Sequence, residues 1–105
     1  APVLSCLTLA ALANGKAVTT VEGLAAGGTL HALQRAFADG FATQCGFCTS
    51  GMLVAAKALL DADPDPDRDA VIDAISGNIC RCTGYEPIIN AILAAAADLR
   101  GAKSA

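Results

Sequence analysis

After residue 29, apolar and polar positions follow one another with a helical period through four stretches of the chain. In "GGTLHALQRAFADG", Leu30, Leu33 and Phe37 recur at helical spacing, with Thr29 placed to cap the start and Gly40 to end it. "SGMLVAAKALLDAD" gathers Met52, Ala55, Ala56, Leu59 and Leu60 on one side. "DRDAVIDAISGNI" does so with Val71, Ile72, Ile75 and Ile79, and "PIINAILAAAADL" with Ile88, Ile89, Ile92, Leu93 and Ala96. The pattern predicts four helices. Between the second and third, "DPDPD" reads as a solvated connection, because each proline biases the preceding Asp out of the helical region. Pro66 suits the first position of the next helix, as Pro87 does in the fourth. Before residue 29 the pattern is less decided. "VLSCLTLAALA" (3–13) fits a helix or a buried strand, and "KAVTTVEGL" reads as a short extended element with Val18 and Val21 on one face.

Four of the five cysteines stand between these helices: Cys45 and Cys48 before the second, Cys80 and Cys82 before the fourth. Cys45 precedes Cys80 by 35 residues and Cys48 precedes Cys82 by 34, so the order helix, cysteine pair, helix occurs twice. Two related hairpins packed about an approximate two-fold axis form an all-α, four-helix bundle with both cysteine loops at one end. One metal centre then joins the halves. The helical domain is expected over residues 29–105.

Composition narrows the partners. Alanine accounts for 24 of the 105 residues, which suits close helix packing better than a sheet. Ten acidic against seven basic side chains leave a net charge of -3, without a cluster of Arg and Lys to hold a phosphate backbone, so nucleic acid is not an expected partner. Gly, Asp and Lys interrupt every apolar stretch short of membrane-spanning length, and the amino terminus lacks the basic and long apolar regions of a signal peptide. Direct membrane insertion is therefore not expected, and the default address is cytoplasmic.

The cysteine chemistry has three readings. A disulfide across one residue, Cys80 to Cys82, is geometrically awkward, and Cys45-Gly-Phe-Cys48 lacks the βαβ setting of a thioredoxin-like site. Structural zinc accepts four thiolates but normally from loops with two or more residues between ligands, so C-x-C matches it less well. A [2Fe-2S] cluster also takes four thiolates, two for each iron, and its negative charge calls for nearby donors. Gly46, Gly51, Gly77 and Gly84 permit close backbone approach, and each cysteine pair runs into a helix amino terminus. Arg81 either adds positive charge there or pairs with a surface carboxylate. On the residues alone, zinc and [2Fe-2S] both stay open.

Resemblance separates them. "QCGFCTSGM" (44–52) and "GNICRCTGY" (77–85) resemble the two signatures of the helical iron-sulfur domain in molybdenum hydroxylases of the xanthine oxidase family. The likeness runs from about residue 3 to residue 99, and Ser50 departs from it where the family usually has proline. It implies that Cys45, Cys48, Cys80 and Cys82 bind a [2Fe-2S] cluster, and that Gln44 and Cys82 contact the pterin of a molybdopterin-type cofactor held by a large partner subunit. It also implies a preceding plant-type ferredoxin domain with a second [2Fe-2S] cluster, whose C-x4-C-x2-C ligands are not in this sequence. Residues 1–28 are then a linker and remnant of that domain. Cys6 corresponds to its fourth ligand, or is otherwise a buried apolar thiol.

Other polar residues receive plainer readings. His31 is expected to be exposed or locally bonded, Asp61, Asp63, Asp65 and Asp67 to form a solvated connector rather than a calcium loop, and Tyr85 to pack beside the second cysteine loop. No nucleophile and base pair is evident, so no catalytic residue is assigned. The resemblance implies an electron-transfer subunit: single electrons pass from a partner's molybdopterin centre to the second cluster and onward, often to FAD in a further subunit. A zinc-supported interaction domain and a stand-alone ferredoxin-like carrier are the alternatives.

Overall fold

A computed structural model describes residues 2–25 and 30–104, with side chains to Gly101. Four helices form: α1 (Ala32–Asp39), α2 (Thr49–Ala62), α3 (Arg68–Ile75) and α4 (Glu86–Ser104). α1 lies along α4 and α2 along α3, with α3 also meeting α4. Exchanging the two halves, α1 for α3 and α2 for α4, carries the first of these pairings onto the second. The duplicated plan of the sequence is therefore present in the packing.

The helical period produces one core. Leu33, Met52, Val71, Ile88 and Ile92 are its largest fully buried side chains, joined by Phe37, Leu53, Leu60, Ile75 and Ile89. Each such side chain contributes about 1.5–3 kcal/mol by leaving water. Alanines fill the remaining space: Ala32, Ala42, Ala56, Ala91, Ala95 and Ala96 are buried, so the helices approach closely. Leu59 and Leu93 pack against this core while partly exposed.

The boundaries carry several corrections. Thr29 lies outside the described residues, and the cap of α1 is His31, whose Nδ1 accepts the Leu33 N–H at 3.1 Å while the Gln34 side chain accepts the His31 N–H at 2.8 Å. Leu30 precedes the helix and is exposed. At its other end Gly40 is the cap, but Phe41 takes the left-handed conformation (φ 55°), and the Ala42 N–H reaches the Phe37 carbonyl at 2.9 Å. This is the Schellman closure, with buried Phe37 and Ala42 at the positions that make its apolar contact. Pro66 is not the first residue of α3. Asp67 is the cap, accepting the Ala70 N–H at 2.8 Å, and Pro66 precedes it, buried as Val71 is, at the two positions of a hydrophobic staple.

The amino-terminal segment also differs from expectation. Residues 3–13 form two short 3-10 turns, Ser5–Leu7 and Ala10–Ala13, with no buried residue in either. "KAVTTVEGL" makes no strand; its end is a third such turn, Val21–Leu24, which sets Leu24 into the core and leaves Val18 exposed. Val3, Leu4, Leu7, Leu9 and Leu12 are exposed. On α3, Ile72 faces outward, and Ile79 beyond it is 84% exposed, because the helix stops at Ile75 and the chain turns into the second cysteine loop. Among the described residues no helix is long and apolar enough to cross a membrane.

Candidate metal centre

Each cysteine loop is shaped by its own sequence. In the first, Gly46 (φ 84°) turns the chain so that its carbonyl accepts the Thr49 N–H, and Cys48 becomes the cap of α2. The Thr43 and Thr49 hydroxyls, 2.8 Å apart, tie the loop across its base. In the second, Gly84 (φ 73°) and Tyr85 (φ 72°) take successive left-handed conformations. This folds Tyr85 back, and its Oη accepts the Cys80 N–H at 2.9 Å. The Tyr85 N–H in turn donates to Thr83 Oγ1 at 3.1 Å, and that oxygen lies 3.1 Å from Cys80 Sγ. Tyr85 is thus a brace for the loop as well as a packing residue.

The two loops meet. Gln44 Nε2 donates to the Cys82 carbonyl at 3.2 Å, and the Asn78 side chain sits so near Gly51 that a Cβ there would fall 2.6 Å from its Oδ1. The thiols meet in twos, one from each loop: Cys45 with Cys82, and Cys48 with Cys80. Exchange of Cys45 for Cys80 and Cys48 for Cys82 carries one couple onto the other, so the approximate two-fold relation extends to the sulfurs. Cys45 and Cys82 are exposed, Cys48 is half-buried and Cys80 is buried. Gln44 and Arg81 lie exposed beside them.

Electrostatics divides each couple. Burial pushes the Cys48 thiol up to about 11, with Cys80 adding to the effect, whereas the Thr83 hydroxyl and N–H hold Cys80 at about 7. Cys45 is lowered by the Phe47 N–H and then by Cys82; Cys82 is raised by Cys45. Each couple therefore gives up one proton more easily than the other, and a metal taking both sulfurs as thiolates must displace the second.

The donor set suits a two-metal centre. Two couples of thiols match the demand of a [2Fe-2S] unit for two thiolates at each iron. A tetrahedral zinc site needs all four sulfurs about one point.

Cys6, the remaining cysteine, is exposed in the first 3-10 turn, not buried as an apolar thiol would be. Close in sequence to the two cysteine pairs, Phe41, Phe47 and Ile79 are 82%, 93% and 84% exposed. Asp61 pairs with Lys57, Asp65 with Arg100, and Asp67 caps α3, as a solvated connector would.

Residues 20–93 match the family described as "[2Fe-2S] binding domain". The nicotine 6-hydroxylase small subunit of Paenarthrobacter nicotinovorans is 54% identical over 93 residues, 89% of this chain and 56% of that protein. The nicotinate dehydrogenase small FeS subunit of Eubacterium barkeri is 47% identical over 91 residues, 87% of this chain and 58% of that one. The crystal structure of quinoline 2-oxidoreductase from Pseudomonas putida 86 matches with a TM-score of 0.87 at 53% identity, over 96% of this chain and 64% of that chain. The chain spans less than two thirds of each of these proteins.

Proposed function

We propose, from the premise that this chain belongs to the family of [2Fe-2S] binding domains homologous to the small FeS subunits of molybdenum hydroxylases, that it relays single electrons inside such an oxidoreductase. Cys45 and Cys82 hold one iron, and Cys48 and Cys80 the other. A bound cluster supplies reversible one-electron storage. The chain's residues fix its position, surround it with donors and keep its inner edge from water. The observation that carries this reading is the meeting of four thiols, in two couples, from loops that the fold brings together.

The exposed couple faces the partner. Gln44 and Cys82 contact the pterin of a molybdopterin cofactor in a large subunit, whose seat is the apolar rim of Phe41, Phe47 and Ile79. The Gln44 amide is already directed toward Cys82, so one side chain links the ligand loop to whatever lies beyond it. Residues 1–28 belong with a plant-type ferredoxin segment, which covers the exposed leucines near the amino terminus and takes Cys6 as the fourth ligand of its own cluster. The helical domain begins at residue 29. Electrons continue through that second cluster, in some assemblies to an FAD-binding subunit, and the address is cytoplasmic.

The test is metal and inorganic sulfide analysis, with EPR after reduction, on the complete assembly isolated without oxygen. Two distinct two-iron signals are expected. Cys48→Ser removes one of them, and Cys6→Ser removes or perturbs only the other. Stoichiometric zinc without sulfide in the wild type rejects the relay and favours a zinc-supported interaction domain.

A further inference from the structure

We propose that the Thr83 hydroxyl donates a hydrogen bond to the Cys80 sulfur and thereby raises the reduction potential of the centre. The inference rests on the reading of Cys80 as an iron ligand. Its geometry is a closed ring of three contacts: the Cys80 N–H donates to Tyr85 Oη, the Tyr85 N–H donates to Thr83 Oγ1, and Thr83 Oγ1 lies 3.1 Å from Cys80 Sγ. The direction of the last contact follows from the others. Thr83 Oγ1 already accepts from Tyr85, so its own proton is available, and a metal-bound thiolate has no proton to give.

The site enhances the effect of one such bond. Cys80 is the most buried of the four cysteines, at 7% exposure, and a hydrogen bond in a poorly hydrated setting acts more strongly on charge. Reduction by one electron breaks no bond and adds one negative charge to the unit, part of which resides on the sulfurs. A donor aimed at a sulfur therefore favours the reduced form.

The approximate two-fold relation sharpens the argument. The counterpart of Thr83, one residue after the second cysteine of its pair, is Thr49, and the Thr49 hydroxyl is bonded to Thr43. Only one of two equivalent threonines in the described structure is spent on a sulfur. The donor is thus an asymmetry laid over a symmetric frame, and it favours the added electron on the iron of Cys48 and Cys80.

The experiment is a redox titration of the purified assembly with dithionite as the one-electron reductant, following by EPR the signal that Cys48→Ser abolishes. Thr83→Val keeps the shape and removes the donor. It is expected to lower the reduced-to-oxidised ratio at fixed potential about tenfold, equivalent to about 59 mV for one electron. Thr83→Ser keeps the donor and restores the wild-type potential. Tyr85→Phe loosens the same loop without removing a donor to sulfur and shifts the potential much less. An unchanged potential in Thr83→Val, or an equal shift in Tyr85→Phe, overturns the proposal.

If Thr83→Val does not retain the centre, the wild type decides. Within seconds of transfer to deuterated water its reduced signal should show a coupled deuteron, since a hydroxyl exchanges that fast and a hydrogen-bonded amide does not. No such coupling overturns the proposal. A wild type without any two-iron signal is a different failure, because it removes the cluster reading on which the inference stands.

Discussion

Gln44 and Cys82, 38 residues apart in sequence, are joined by a hydrogen bond from the Gln44 side-chain amide to the Cys82 carbonyl at 3.2 Å. The contact is exposed, so its removal costs about 0.5–1.5 kcal/mol at most. Its effect falls on the seam between the two loops, which must stay together to keep four sulfurs in place. Gln44→Ala is expected to speed the loss of iron to a chelator several-fold. Gln44→Glu should be worse, because a carboxylate can only repel the carbonyl it faces. Equal rates in all three proteins would show that the bond holds nothing.

Gly51 and Asn78 form a second link across the same seam. A Cβ on residue 51 would come within 2.6 Å of Asn78 Oδ1, a contact that forces the Asn78 side chain to move. Yet Gly51 lies inside α2, where alanine is favoured by about 1 kcal/mol. The two effects oppose each other, and the double mutant separates them. Gly51→Ala alone should lower the thermal midpoint of the holoprotein. In an Asn78→Ala background the same change should raise it.

Much of this was legible from residue types and spacing, and the exceptions share causes. Helical periodicity found Leu33, Met52, Val71, Ile88 and Ile92, because a buried stripe is written in sequence at the period of the helix. Leu30, Ile72 and Ile79 were misassigned because periodicity counts apolar residues without saying whether they meet this chain or another. The paired cysteines announced a metal centre, and the duplicated spacing announced its symmetry. What spacing could not show is which thiol meets which, because that depends on how the loops cross. Nor could it reveal Thr83 as a sulfur partner, since the contact exists only after Gly84 and Tyr85 adopt positive φ. The threonine beside Cys82 was visible, but its bonding was not.

Phe41 carries a cost that its position explains. A bulky residue at φ 55° is strained, and here its ring is 82% exposed, so burial in this chain does not compensate. Phe41→Gly should therefore stabilise the isolated fold by about 1 kcal/mol in thermal or denaturant unfolding. If Phe41 belongs to the seat of a large subunit, the same variant should copurify less of that subunit, while Ala38→Gly, at an exposed site within α1, leaves association unchanged. Greater stability with undiminished association would remove Phe41 from the interface.

His31 makes the start of α1 sensitive to acid. Its Nδ1 can accept the Leu33 N–H only while unprotonated. Burial lowers the His31 pKa below the ordinary 6.5, Lys57 and Arg35 lower it further, and Asp61 opposes them. The unfolded chain therefore takes up the proton first as pH falls. Stability from the neutral imidazole is complete above about pH 6.5 and is lost as pH descends through the lower folded value. The thermal midpoint should fall more between pH 7.5 and pH 5 in the wild type than in His31→Asn, because asparagine caps a helix without titrating in that range. His31→Ala removes the cap at every pH and should cost about 1 kcal/mol throughout. Lys57→Met separates the causes: it removes a cation beside the imidazole, so the folded value rises toward the unfolded one, and the acid-induced loss, which still begins near pH 6.5, should be complete at a higher pH and become smaller. Parallel pH profiles for the wild type and His31→Asn would mean that the imidazole caps α1 without linking its stability to pH.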